Sequence, residues 1–425
     1  MSKSNFMNEI VKKYKFQVLL LLISVILISI LSFLLQLNRQ TFVYPDSGNY
    51  LESINNLFLF QRGHPFRPLL MAFINGIPYL FAKNDQLIFK WSCFVNLISW
   101  FATQLLLFSL IKEFFKPKIA FYFTLAFTLC FGFTIINFHL LAESIFTFFL
   151  ILFLFFLNKY YKTKNFKWLS YAISILILSM LVKPVSKFIA IIIILFFLKI
   201  LIVNYKQKVI CFIYISFIAV LIQVFGMKHQ FGNYTISYID VVTIHNYIGS
   251  KAKCIENGTI YAQEKNSRAD YLFQFKFMQQ NEIAKKDFKK QILNNKSNLF
   301  RAYIDNLKSN LSHGSGAIID CVDLKNSASI EKIKKLIYLI SAGQNLLLTL
   351  LGFILGIYFI AKNRKTNVFF AFAGFLILYI ILVSGISCGQ GDRFHLTIYP
   401  FTILLLAKFI HETEYFKLFS APLQK

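Results

Sequence analysis

Apolar positions run along this chain in long blocks, separated by short polar clusters and by one long polar stretch. Largely apolar runs extend from Phe16 to Gln36, Leu87 to Ile111, Ile119 to Ile136 and Leu140 to Leu157, and the pattern continues toward the C-terminus. Runs of about 18 residues or more match the hydrocarbon thickness of a bilayer, where a helix satisfies its own backbone. The pattern therefore predicts an all-α polytopic membrane protein with about ten transmembrane helices. They are placed near 16–37, 87–111, 118–136, 140–157, 168–182, 187–203, 209–227, 335–361, 367–386 and 394–411. The first run is longer than a signal-peptide core and lacks a small-residue cleavage site, so it is expected to remain as the first span.

The stretch His64 to Ala82 is also apolar, but Pro68, Gly76 and Pro78 interrupt it. Charge decides its placement. Lys and Arg in short loops mark the cytoplasmic side, which puts Lys3, Lys12, Lys13 and Lys15, and with them the N-terminus, inside. A crossing at 64–82 would place Lys112, Lys116 and Lys118, then Lys159, Lys162, Lys164 and Lys167, then Lys362, Arg364 and Lys365 all outside. A surface or re-entrant stretch places every cluster inside, together with Lys206, Lys208 and the C-terminal tail. The expected organisation is an N-terminal transmembrane module of about seven spans, 1–227, with juxtamembrane helices in a first outer loop, 38–86. A small extracytoplasmic subdomain, 228–334, and a C-terminal module of about three spans, 335–425, follow. A helical pattern runs from Ala284 to Leu311, and no internal repeat is visible.

Composition narrows the classes. With 57% hydrophobic residues the chain is more apolar than a soluble domain. The formal charge of +26 comes without any nucleic-acid-binding motif and is spread between apolar spans, so no nucleic-acid partner is expected. Six cysteines show no Cys-x-x-Cys spacing; Cys254 and Cys321 are candidates for a disulfide if their loop is extracytoplasmic.

The conspicuous polar residues fall in the loops this topology places outside. The first loop carries Tyr44-Pro45-Asp46-Ser47-Gly48-Asn49-Tyr50, then Glu52, then His64-Pro65-Phe66-Arg67-Pro68-Leu69. Further on lie His139 and Glu143, spaced to share a helix face, then Lys183-Pro184-Val185-Ser186-Lys187 and finally Asp392-Arg393-Phe394-His395. Arg67, Lys183, Lys187 and Arg393 offer donors to a phosphate group. Asp46 can accept a proton from a hydroxyl or amine, and Glu143 can position an acceptor or neutralise the cations. Each also has a plainer reading. Asp46 suits a helix cap, Lys183 and Lys187 suit snorkelling anchors, His139 and Glu143 suit a hydrogen-bonded pair, and Asp392 and Arg393 suit an exposed ion pair.

Taken in order, these motifs resemble the GT-C superfamily of membrane glycosyltransferases, specifically the protein O-mannosyltransferase, aminoarabinose transferase and related bacterial integral-membrane transferases. The resemblance lies in Asp46 with Tyr50 in the first outer loop, in the His64–Leu69 stretch, which is similar to a His-Pro-Pro-Leu motif, in Glu143 opening a span, in Lys183-Pro184, and in Arg393-Phe394 with Pro400 beyond. It departs from the family where Ser47 follows Asp46 in place of a second acid and where Phe66 interrupts the prolines.

The resemblance implies an inverting transferase of the cell envelope that moves a sugar from a polyprenyl-phosphate-linked donor to a glycan, lipid or protein acceptor. Asp46 is then the general base, and Tyr50, His64, Arg67, His139, Glu143, Lys183, Lys187, Asp392, Arg393 and His395 bind substrate. No cofactor is required, assistance by a divalent metal stays open, and the location implied is a bacterial inner or plasma membrane with both termini cytoplasmic. Three other readings stay beside it. A lipid or solute transporter would use the same charges along a pathway, a lipid-linked glycan polymerase or ligase would share the large outer loop, and a scaffold would use none of them.

Overall fold

The computed structural model describes residues 3–37, 44–263, 266–319, 328–363, 367–389 and 391–413, and among them there is no strand. The N-terminal part comprises α1 (Lys3–Leu35), α2 (Pro45–Phe60), α3 (Leu69–Gly76), α4 (Asp85–Ile111), α5 (Pro117–Thr128) and α6 (Phe131–Ile136). It continues through α7 (Glu143–Thr163), α8 (Phe166–Ser179), α9 (Lys187–Val203) and α10 (Cys211–Phe231). A polar insert follows, with α11 (Ile239–Val242), a π-helical turn at Thr243–Gly249, α12 (Ser250–Glu256), α13 (Ser267–Phe273), α14 (Phe277–Asn294), α15 (Lys296–Ser312) and α16 (Gly316–Ile319). The chain closes with α17 (Ala328–Asn363), α18 (Val368–Ser384), a 3₁₀ segment at Gly391–Ile398 and α19 (Tyr399–Glu412).

Seven helical segments among the described residues are long and apolar enough to cross a membrane: Tyr14–Leu35, Asp85–Ile111, Glu143–Thr163, Pro184–Val203, Lys208–Phe231, Ala328–Lys362 and Gly391–Glu412. The molecule is thus a polytopic helical membrane protein. On α9 and α10 large apolar side chains such as Leu195, Phe196, Ile215 and Ile222 face outward, as they must where lipid replaces water. The interior is one continuous apolar core holding Trp100, Phe146, Phe153, Phe359, Phe401 and Leu404. Small residues let helices approach where α17 meets α18. A Cβ on Gly374 would lie 2.7 Å from the Gly356 carbonyl oxygen, so only glycine fits there.

The first polar connection folds as the expected pair of short helices, α2 and α3. The run at 118–136 does not form one continuous helix. It breaks between α5 and α6, and Gln344 of α17 holds the break: its amide nitrogen donates to the Leu129 carbonyl at 2.8 Å and its oxygen accepts from Phe131 N–H at 3.1 Å. Backbone groups freed at a break need such partners in a dry interior. The helical pattern of 284–311 is likewise divided, because Asn295 interrupts α14 and α15. Cys321 lies outside the described residues, and with it the disulfide expected to Cys254.

The insert has two small apolar cores of its own, one around Met227, Tyr238, Leu272 and Ala284, the other around Ile248, Ala252 and Ala302. It is tied down on two sides. Toward the first loop, Tyr238 N–H donates to the Pro65 carbonyl at 2.8 Å, Ser237 Oγ donates to the Phe66 carbonyl at 2.8 Å, and the Phe66 ring meets Phe273 and Phe277 edge-on. Toward α18, one stripe of α15 donates to carbonyls at the C-terminal end of that helix. Tyr303 Oη donates to Leu382 O at 2.7 Å, Asn306 Nδ2 to Gly385 O at 3.1 Å, and Asn310 Nδ2 to Ser384 O at 2.9 Å. Asn345 of α17 does the same for the end of α15, donating to the carbonyls of Asn310 at 2.7 Å and His313 at 2.8 Å.

Candidate functional site

Four separate connections bring charge to one place. Proline at the first position of α2 suits a helix start, and Asp46 in the first turn suits the positive end of the helix dipole. One turn on, Tyr50 lies buried on the same side. The loop after α2 turns through Gln61, in the left-handed region at φ 52°. It is pinned by His64, whose Nδ1 accepts from the Phe66 and Arg67 backbone N–H groups at 3.1 Å each. This delivers the Arg67 guanidinium over the Tyr50 ring, 4.4 Å from its centroid.

Glu143 begins α7, its approach fixed by Asn96 Nδ2 donating to the His139 carbonyl at 2.9 Å and by Ser144 Oγ donating to Asn137 Oδ1 at 2.6 Å. Lys183 stands in extended backbone just before a 3₁₀ turn that starts at Pro184. Arg393 sits in the eight-residue 3₁₀ segment leading into α19, longer than such segments usually run.

These side chains form one continuous ion network. Arg67 Nη2 donates to Asp46 Oδ1 at 2.7 Å, and Arg393 Nη1 donates to Asp46 Oδ2. Arg393 Nε reaches Glu143 Oε1 at 2.6 Å, and Lys183 Nζ reaches the same oxygen at 2.9 Å. Glu143 is fully buried. Burial alone would raise the Asp46 carboxyl, but the guanidiniums of Arg393 and Arg67 outweigh it and hold the group well below the usual carboxylate range.

The network forms the charged side of a cavity of about 330 Å³, lined by Asp46, Tyr50, Arg67, Lys183 and Arg393. That volume lies within the ~300–1,000 Å³ range of small-molecule sites. Its other walls are apolar and come from Phe66, Val185, Phe188, Ile244, Val383 and Phe394. The insert adds Asp240, Thr243 and Tyr247 to the wall.

Of the candidate residues, Asp46, Tyr50, Arg67, Lys183 and Arg393 thus line one cavity, with Glu143 bonded directly behind. Lys187 reaches it only through Asp240, whose Oδ2 accepts from Lys187 Nζ at 2.7 Å. The other four sit elsewhere. His64 shapes the loop, and its Nε2 stands 3.5 Å from Glu52; burial lowers its affinity for a proton. His139 does not share a helix face with Glu143, because α7 starts only at Glu143; its ring is buried against Tyr44 and its Nε2 lies 3.2 Å from the Ala317 carbonyl. His395 is buried between Asn345 and Ser384, at 3.1 Å from each. Asp392, buried rather than exposed, faces Gly132 and does not pair with the neighbouring Arg393, which is turned to Asp46 and Glu143.

Asp46 and Glu143 are poorly suited to a divalent cation, since both oxygens of Asp46 accept from guanidiniums and Glu143 faces two cations. Among the described residues no three His, Cys, Asp or Glu side chains gather as metal ligands do.

Tyr247, Thr243 and Asp240 were not legible as site residues. Tyr247 points inward because a π-helical turn rotates it, and nothing local in Ile244-His245-Asn246-Tyr247 announces that turn. Compared with protein-family models, with curated proteins and with solved structures, the chain finds no match in any of the three.

Proposed function

We propose that the chain is an integral-membrane glycosyltransferase that moves a sugar from a polyprenyl-phosphate-linked donor to an acceptor outside the cytoplasm. The observation that carries this reading is the two-sided cavity: three cations, Arg67, Lys183 and Arg393, converge with Asp46 on one side, and most of the remaining lining is aliphatic and aromatic, with Asp240, Thr243 and Ser387 as its polar members. A ligand complementary to both is an anion attached to a greasy tail. Phe188 lines the cavity near the start of an apolar span and is 56% exposed, so the apolar side is open where a lipid would arrive.

In this reading Lys183 and the two arginines hold the phosphate, Asp46 takes the proton of the acceptor, and the displacement inverts the sugar carbon. Charge stabilisation on the departing phosphate supplies much of the rate. The α5–α6 pair, α8 and α18 cross the membrane in addition to the seven longer segments, which gives ten spans with both termini cytoplasmic. The insert lies on the far side of the membrane, which for a cell-envelope enzyme is the outer face of a bacterial inner membrane.

The test uses purified protein with short-chain isoprenyl-phosphate sugars and measures sugar transfer. Lys183→Ala is expected to raise the donor KM at least tenfold with little change in the acceptor KM. The opposite pattern would remove Lys183 from the phosphate, and no transfer from any such donor would remove the reading.

A further inference from the structure

The same geometry contains a conflict. A base must be free to take a proton, yet Asp46 accepts from Arg67 Nη2 at 2.7 Å through one oxygen and from Arg393 Nη1 through the other. A carboxylate held by two guanidiniums is a poor proton acceptor. The partners of Asp46 are, however, the very cations that a phosphate in the cavity would attract. The two arginines also reach beyond Asp46. Arg67 Nε is buried with no protein partner among the described residues, and Arg393 spans Asp46 and Glu143 with separate nitrogens.

We infer that Asp46 occupies the place of the donor phosphate in the resting site, and that the arriving phosphate draws Arg67 and Arg393 away from Asp46 and so releases it to act as the base. The inference rests on the reading of the cavity as the seat of a lipid-linked phosphate. It adds to it a regulatory property, since the base becomes competent only when the donor is bound, which protects the site from deprotonating water or acceptor alone.

Charge bookkeeping supports the exchange. Arg67, Arg393 and Lys183 against Asp46 and Glu143 leave the resting network with one net positive charge. A phosphodiester donor brings one negative charge and makes the site neutral. During transfer the acceptor oxygen bonds to the sugar carbon and its proton passes to Asp46. The bond from that carbon to the phosphate oxygen breaks, with its electron pair staying on the phosphate. Asp46 loses its charge as the phosphate gains one, so the site stays neutral throughout, and the cations are drawn further toward phosphate at the moment Asp46 no longer needs them.

Binding of farnesyl phosphate to the full-length protein in nanodiscs, measured by calorimetry, tests this apart from turnover, with inorganic phosphate in a parallel arm. Removing the resident anion should tighten the probe, so Asp46→Asn and Asp46→Ser are each expected to lower its Kd about tenfold while abolishing transfer. Inorganic phosphate is expected to bind far more weakly than farnesyl phosphate; equal binding would overturn the lipid-linked source. Farnesyl phosphate bound by the wild type, with an unchanged or raised Kd in folded variants, would overturn the displacement and leave the phosphate site standing. Absence of binding by either probe would overturn both. An infrared difference spectrum of the wild type needs no variant: farnesyl phosphate should shift a carboxylate stretching band, and a spectrum without carboxylate change would overturn the displacement.

Discussion

Glu143 is the most revealing residue to perturb. Its carboxylate is fully buried and accepts charge-assisted hydrogen bonds from Arg393 at 2.6 Å and Lys183 at 2.9 Å. Glu143→Gln keeps the shape but leaves two buried cations facing a neutral amide. Removing one partner of a buried ion pair costs about 3–5 kcal/mol. Here the lower end applies, because Arg393 keeps Asp46 and Lys183 keeps the Phe394 ring, 4.8 Å from its ammonium. A loss of about 3 kcal/mol is roughly a 150-fold change in the unfolding equilibrium.

The measurement is reversible unfolding in mixed micelles, with Lys162→Ala as the control. Lys162 pairs with Glu113 at 2.9 Å but is 55% exposed, so its loss should cost less than about 1 kcal/mol. Adding Lys183→Met to Glu143→Gln should restore part of the stability, since one stranded cation is then replaced by an apolar side chain of similar length. Stability of Glu143→Gln within 1 kcal/mol of wild type, or no recovery in the double variant, would refute the argument that these charges are mutually dependent.

Four more outcomes are expected. The acid limb of kcat/KM, which reports the free protein, should lie at lower pH than the acid limb of kcat, because Asp46 is held low by Arg393 and Arg67 only until donor arrives; coincident limbs would contradict this. The same lowering means that the contribution of Asp46 to stability is complete above its unfolded pKa, about 4, and is lost only as pH falls through the lower folded value. Gln344→Leu, which strips both partners from the α5–α6 break, should destabilise by about 2 kcal/mol in the same unfolding assay, and a neutral effect would mean that the break is held by other contacts. In a background without native cysteines, an impermeant maleimide applied to intact cells should label Ser267→Cys but reach Lys162→Cys only after permeabilisation; the reverse would invert the proposed topology.

Much of the site was readable in the sequence because ionisable residues at the ends of apolar runs are costly unless paired or used. Glu143, Lys183 and Arg393 each stand at such an end, Asp46 lies in the outer loop after the first run, and they meet. What escaped depends on distant partners. Nothing in Leu129-Cys130-Phe131 signals a broken helix, because the group that stabilises the break is Gln344, more than two hundred residues away. Asn345 stands beside a leucine-rich run with nothing local to mark its role, yet it joins the end of α15 to His395. Spacing alone also does not tell how a histidine is used: His64 bonds within its own loop, whereas His139 reaches the Ala317 carbonyl and His395 reaches Asn345 and Ser384.

The stripe formed by Tyr303, Asn306 and Asn310 has a mechanical consequence. Those three side chains donate to carbonyls at the end of α18, so peeling the insert off that helix would break several side-chain-to-backbone hydrogen bonds at once. The Phe66 loop is latched to the same unit, so the two segments that both line the cavity are tied to each other as well as to α18. In the proposed reading a lipid-linked donor would enter sideways past Phe188, which lines the cavity and is 56% exposed, with the insert staying in place.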